Sequence, residues 1–584
     1  MLRIIFLVAW CLCTNTSRAA APAHTADWIT RSNQLAREYT LERAVWNPES
    51  ASSEGYREFD AQAMRVVDDM VTPERERLRR WQKRLRTQLR GERDAEYRVD
   101  VQLLLHDVEE ELVDLRLDER FGVIPFHAGT EIIFNNLREL INEQTDATRR
   151  RAAALRFHKY VRGFDTFAPL LSALQSQTRA VLQQHPHRQL LPTRQEVQHY
   201  LDDSASYVAS IRTLLQQCPR TDWHDDYRVF VQQSQVYDAF VRSDILPHAR
   251  DDFHLPAALY QFNVRSSGIH TPPTQLIRAA RADYRALYQQ FTQLAARVAQ
   301  AHGWTDTTPA AVIRNLKIHT TPHGGAPLAL YRNANQLLTR VIRDHDLLTL
   351  PATPLHIRLG GDSESRSQPI PHLLSAPLVN NHGERPEFVI PATAHGTLSL
   401  DDFSYPAAAV ILTAHEGRPG HDIQFSTMLD RGTSIIRAEY AFNSANVEGW
   451  ALYAESIVTP FLPDDMQLVG LQFRLWRTAR AFLDPEVQLG RITPDEVMHF
   501  LTEELGASKK LADLEVRRYT YDMPGQAPSY YYGFTRLLAA KHAMQHRLGK
   551  NFSERCFNDT VLSFGLLPID ILCDRLRNSM SCSQ

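Results

Sequence analysis

Apolar residues recur every three to four positions along most of this chain, and that spacing commits it to helices packed against one another. After Thr72-Pro73, a cap followed by proline at a first helical position, Leu78, Trp81, Leu85 and Leu89 line one face before Gly91. Leu105, Val108, Leu112 and Leu115 repeat the pattern one helix later, and residues 194–218, 274–303, 308–318 and 328–348 read the same way. Glu74, Glu76 and Glu92 are interspersed with the arginines from Arg75 to Arg90, so that face reads as solvated helix surface. The pattern breaks twice. Ser266-Ser267-Gly268 and then Thr271-Pro272-Pro273-Thr274 separate an N-terminal helical region, 22–270, from a C-terminal catalytic region, 271–584. Residues 349–403 carry prolines, glycines and two short apolar runs, His356-Ile357-Arg358-Leu359 and Phe388-Val389-Ile390, which predict a small β element among the helices. The expected fold is mainly α with a minor sheet.

The first residues point to export. Met1 to Arg3 give a positive start, Ile4 to Cys13 an apolar core, and Ala19-Ala20-Ala21 an A-x-A cleavage site before Pro22, so residues 1–21 read as a signal peptide and the protein as periplasmic or secreted. Cys11 after Trp10 and Cys13 after Leu12 are poor contexts for lipid attachment. No apolar run approaches the ~20 residues of a membrane span. Lys plus Arg number 65 against 68 Asp plus Glu, a net charge of −3. Cleavage would remove Arg3 and Arg18 and no acid, leaving −5, with no electrostatic footprint for nucleic acid. Of the four remaining cysteines, Cys218, Cys556, Cys573 and Cys582, the last three lie close enough in sequence to predict a disulfide in an oxidising compartment; the pairing stays open.

Chemistry concentrates between 411 and 455. Ile411-Leu412-Thr413-Ala414-His415-Glu416 is an apolar helix end, followed by Gly417-Arg418-Pro419-Gly420 and a second histidine, His421. Zinc ligands must converge at about 2.0–2.2 Å from one point. Four residues advance about 400° in a helix and put two imidazoles on one face, whereas six advance about 600° and separate them. Pro419 has no N–H for the carbonyl of His415, and Gly420 tolerates unusual dihedrals, so a two-residue bulge there would return His421 to the metal face. Glu416 would then face the attacking water as general base. A third ligand is available in Glu448-Gly449-Trp450-Ala451-Leu452-Tyr453-Ala454-Glu455, whose two acids share a helix face about 10 Å apart. Only one of them can touch the ion, and the other could orient a ligand from behind.

These residues, with Arg518-Tyr519, Pro524-Gly525-Gln526-Ala527 and Ser529-Tyr530 ahead of Gly533, resemble the bacterial family called domain of unknown function 885. That family looks like a branch of the gluzincin metallopeptidases, which implies a large helical fold with a cleft and one zinc ion held by two His and one Glu. On this resemblance His415, His421 and Glu448 would be the zinc ligands, Glu416 the catalytic base, and Glu455 a support behind a ligand. Two departures stand out. Asp422 occupies the place of a second histidine common in the family, and would offer an oxygen ligand if that histidine were the true one. Gln488, in Asp484-Pro485-Glu486-Val487-Gln488, replaces the histidine of an Asp-Thr-Gly-x-His run.

Amide hydrolysis also needs donors aimed at the developing oxyanion. Tyr530 first and Tyr519 second are the candidates, with Tyr521, Tyr531 and Tyr532 competing, and Arg518 could bind a substrate carboxylate bidentately. The expectation is an exported zinc-dependent hydrolase cleaving short or unfolded peptides. The rivals are a metallohydrolase of non-peptide amides or esters, and a non-catalytic exported binding protein on the same scaffold.

Overall fold

The computed structural model describes residues 27–578 apart from 185–188, 221, 323–326 and 394–397, so the expected signal peptide and Cys582 lie outside the described residues. Local signals explain the first helices. Helix α1 is Asp27–Arg43, α2 Val71–Gly91 and α3 Ala95–Phe121. Helix α2 begins one residue before Thr72, whose N–H goes to Asp69 Oδ1 at 3.0 Å, so Thr72 is not the cap. Asp94 caps α3 by accepting from the N–H groups of Glu96 and Tyr97, and Gly122 ends it in the left-handed region at φ 59°. Five helices follow: α4 Gly129–Arg138, α5 Ala147–Arg162, α6 Leu170–Gln184, α7 Arg194–Leu215 and α8 Trp223–Phe240. A reciprocal Thr193–Glu196 capping box starts α7.

The apolar interior does not divide where the sequence pattern breaks. Leu78, Trp81, Leu85, Val101 and Leu104 of α2 and α3 join one large core with the C-terminal helices. Helices α4–α8, with Ala63 and Val66, enclose a second core around Phe134, Phe157, Leu174, Tyr200, Phe230 and Tyr237. Helices α1–α3 therefore belong physically with the C-terminal region, and α4–α8 form a separate layer.

Beyond that layer come α9 Pro273–His302, α10 Pro309–Thr320 and α11 Pro327–Asp344, close to the expected spans. The small sheet holds β1 His356–Leu359, β2 His372–Leu374 and β3 Glu387–Ile390 in the order β1-β3-β2. Strands β1 and β3 are parallel, with Ile357 opposite Phe388, and β2 runs antiparallel, with Leu373 opposite Phe388. The sequence pattern predicts β1 and β3 but not β2, which has three residues and no buried face of its own. The remaining helices that frame the site are α12 Pro406–Glu416, α13 His421–Arg431, α14 Ser444–Val458, α15 Asp464–Gln488, α16 Lys509–Arg517 and α17 Ser529–Leu548. Every residue of α12 from Ala407 to His415 is buried, among α11, α14 and α15. A helix apolar on all sides has to be buried on all sides.

Candidate metal centre

The link between α12 and α13 is a complete break rather than a bulge within one helix. Helix α12 stops at Glu416, Gly417 donates back to the Thr413 carbonyl at 2.8 Å, and a new helix begins at His421. Pro419 supplies the physical reason, since it cannot donate to the His415 carbonyl. Gly420 packs so closely on α12 that a Cβ there would lie 1.7 Å from the His415 carbonyl oxygen. Trp450, in α14, pins the link by donating Nε1–H to the Gly420 carbonyl at 3.1 Å.

This turn and α14 bring three side chains together. His415 Nε2 lies 3.3 Å and His421 Nε2 3.6 Å from Glu448 Oε2. Ligand atoms of the three lie within 4.8 Å of one another. Ligands ~2.0–2.2 Å from a tetrahedral ion are ~3.3–3.6 Å apart, so the spacing suits one small divalent cation. Two imidazole nitrogens and a carboxylate oxygen are also the donor set of a catalytic zinc site. Glu448 Oε2 and His421 Nδ1 are buried and accept or donate no hydrogen bond among the described residues. Burial opposes charge on Glu448, yet the two histidines hold its carboxyl well below the usual range. Burial likewise opposes charge on His415, but Glu448 and Glu455 push it up to about 9.

Glu455 accepts from His415 Nδ1 at 2.7 Å and lies 3.5 Å from Arg477, which turns Nε2 of that ring toward the cluster. Glu416 reaches the cluster's edge, with Oε1 4.0 Å from His415 Nε2. Its Oε2 accepts the N–H of Leu373 in β2 at 3.0 Å. No sequence signal points to that contact, because the donor is a backbone group on an unpredicted strand. His372 beside it has Nδ1 against the Ile370 carbonyl at 3.0 Å, a buried Nε2 without a partner among the described residues, and a pKa lowered by burial.

The two candidate tyrosines separate. The Tyr530 ring lies nearly parallel to His415, 12° between planes and 6.2 Å between centroids, and the Arg480 guanidinium sits 4.4 Å over the same ring. Burial and then Glu448 push its phenol up to about 12, against a pull downward from Arg480 and Arg518. A glycine crossing sets this placement: Gly449 and Gly533 meet where α14 crosses α17, and a Cβ on Gly533 would lie 1.8 Å from the Ala445 carbonyl oxygen. Tyr519 is instead committed inside the core, its hydroxyl donating to Glu515 at 2.6 Å. Glu515 also takes two bonds from Arg480, at 2.8 and 2.6 Å, and a buried ion pair needs its remaining lone pairs filled. Tyr519 is therefore corrected from oxyanion donor to a prop for that pair. Arg480 was missed because an arginine in a helix carries no sequence sign of burial.

Both departures fall away from the cluster. Asp422 accepts from Arg418 Nε at 2.9 Å and from Ser426 at 3.1 Å. Gln488 donates to the Tyr519 carbonyl at 2.8 Å and accepts the Leu255 N–H at 3.0 Å, a structural brace that needs no titratable group. Arg518 donates to Gln526 at 2.9 Å and lines a cavity of about 390 Å³ between α7, the approach to β2 and the turn after α16. Cys556 is disulfide-bonded, while Cys218 and Cys573 are free.

Two solved structures share this fold. One is of a candidate lipoprotein of unknown function from Shewanella oneidensis, with TM-score 0.71 and 15% identity over 94% of this chain and 100% of that one. The other is of a candidate lipoprotein from Colwellia psychrerythraea, with TM-score 0.73 and 16% identity over 95% and 99%. None of the curated proteins matches the sequence. The profile of a family described as "Bacterial protein of unknown function (DUF885)" matches residues 48–576.

Proposed function

The chain belongs to the DUF885 family, and on that premise we propose that it is an exported zinc-dependent hydrolase of peptides. One observation carries the reading. Two imidazoles and one carboxylate bring ligand atoms within 4.8 Å of one another, with Glu448 Oε2 left buried and without a hydrogen-bond donor among the described residues. His415, His421 and Glu448 would hold the zinc, with Glu455 steadying His415. Zinc held there would polarise the scissile carbonyl and acidify a water.

The protein's own groups do the rest. Glu416, fixed by the Leu373 N–H, takes a proton from the attacking water as its oxygen bonds to the carbonyl carbon. The Tyr530 hydroxyl donates to the oxyanion that develops. As the C–N bond breaks, the proton held on Glu416 passes to the leaving nitrogen, and acid and amine products balance. Export is supported by the leader-like start, by the Cys556 disulfide, and by structural neighbours described as candidate lipoproteins.

Metal analysis of the purified protein beside Glu416→Gln, both assayed on a peptide library, tests the reading. It expects about one zinc per chain in each and a ~10²–10⁴-fold loss of kcat in the variant. Protein that takes up no zinc, or a variant as active as the parent, would overturn it.

A further inference from the structure

We infer that the cavity lined by Arg518 and Ile370 seats the terminal carboxylate of a short peptide, clamped by Arg518, so that cleavage falls within a few residues of the substrate's C terminus. This rests on the hydrolase reading for the reaction, but not for the binding.

The cavity of about 390 Å³ is lined by Arg518 and Tyr521 on one side, Tyr200 and Tyr207 of α7 on another, and Pro369-Ile370 on a third. Pockets of ~300–1,000 Å³ hold ligands of drug size, which is one or two residues and not an extended chain. Ile370 is three residues before Leu373, the donor to Glu416. Three residues span at most ~11 Å, so the cavity lies a short peptide's reach from the reacting bond.

Charge accounting selects Arg518 within this wall. Its side chain is 22% exposed, and its nearest acid, Glu515 at 3.7 Å, is already filled by Arg480 and Tyr519. Among the described residues only one of its N–H groups has a close acceptor, Gln526. Of the other charges along the cavity, Arg366 pairs with Asp362 at 3.1 Å, His199 pairs with Asp203 at 3.3 Å, Glu131 accepts from Ser367, and Glu196 sits in the α7 capping box. Arg517 lies 3.5 Å from Asp522, and its Nε, unpartnered among the described residues, is buried away from the solvent of the cavity. A guanidinium with open donors beside apolar and phenolic walls is a fork for a carboxylate.

The test uses mixed tripeptides made with free or amidated C termini. Zinc-loaded parent, Arg518→Lys and Arg518→Gln are assayed for kcat and KM, and Glu416→Gln with and without Arg518→Gln is titrated calorimetrically with the same mixtures. The expected result is a 10- to 100-fold lower kcat/KM for the amides, mostly through KM. That preference should vanish in Arg518→Gln and persist in part in Arg518→Lys. Equal cleavage of acids and amides by the parent overturns the inference and leaves the hydrolase reading standing. Acids bound more tightly than amides without any hydrolysis supports the inference and overturns the hydrolase reading. Neither binding nor cleavage of either series overturns the inference. Arg518→Lys carries the comparison if Arg518→Gln does not fold.

Discussion

Around the metal cluster the interior is built from paired charges: His415 with Glu455, Arg480 with Glu515, Arg418 with Asp422. The layer of α4–α8 that walls the neighbouring cavity is built from rings on rings, such as Phe157 on Phe230 and Tyr200 on Tyr237. The two constructions fail differently. Deleting one partner of a buried ion pair strands the other charge in a medium that cannot solvate it, whereas deleting a ring opens a hole that its neighbours partly fill. The charged groups around the cluster thus each need one correct partner, whereas the ring-packed layer needs only volume of the right shape.

Arg480→Ala should break the comparison on the charged side most severely. Glu515, held down to about 2 by Arg480 against its burial, would be stranded, at a cost of ~3–5 kcal/mol. Denaturant melts should show that loss together with reduced zinc stoichiometry; a stable, fully zinc-loaded variant would contradict it. Phe157→Ala should cost a similar ~3–5 kcal/mol or slightly less, yet leave zinc at one per chain, because its core is separate. Loss of zinc in that variant would mean the two regions are one. Glu455→Gln should sharpen the picture with a smaller effect, weakening zinc binding ~10–100-fold in chelator competition and lowering the melt less than Arg480→Ala, because the amide oxygen still accepts from His415 Nδ1. An effect that depends on pH is expected at Asp484, which burial raises to about 7 despite bonds from Tyr260 and Gly525. A raised carboxyl takes up a proton on folding, so stability falls as pH rises from about 4 to about 7 and the penalty persists above. Asp484→Asn should therefore be the more stable form at pH 8 and match the parent near pH 4, as melts across that range would reveal.

The helices were legible because burial imposes a period of 3.6 on apolar residues, and α9 and α10 fall almost where their spacing predicts. The convergence of His415, His421 and Glu448 was legible because histidine and glutamate at motif spacing are chemically distinctive. Other features could not be read this way. Strand β2 is too short for any period, Arg480 looks like any surface arginine, and Tyr519 and Tyr530 differ only in what tertiary packing puts beside each hydroxyl. The distribution of the cores was hidden too, because an apolar stripe on α2 does not say which distant helix will cover it.

The meeting of Gly449 with Gly533 has a mechanical consequence. Backbones in direct contact cannot slide or part without emptying space that no side chain is present to fill, so α14 and α17 are riveted at that point. The carboxylate of Glu448 and the phenol of Tyr530 ride on either side of the rivet and move as one body. The sheet is tied to the α4–α8 layer differently, by side-chain bonds such as Glu131 with Ser367 and Gln144 with Glu387, which can break and re-form without emptying space.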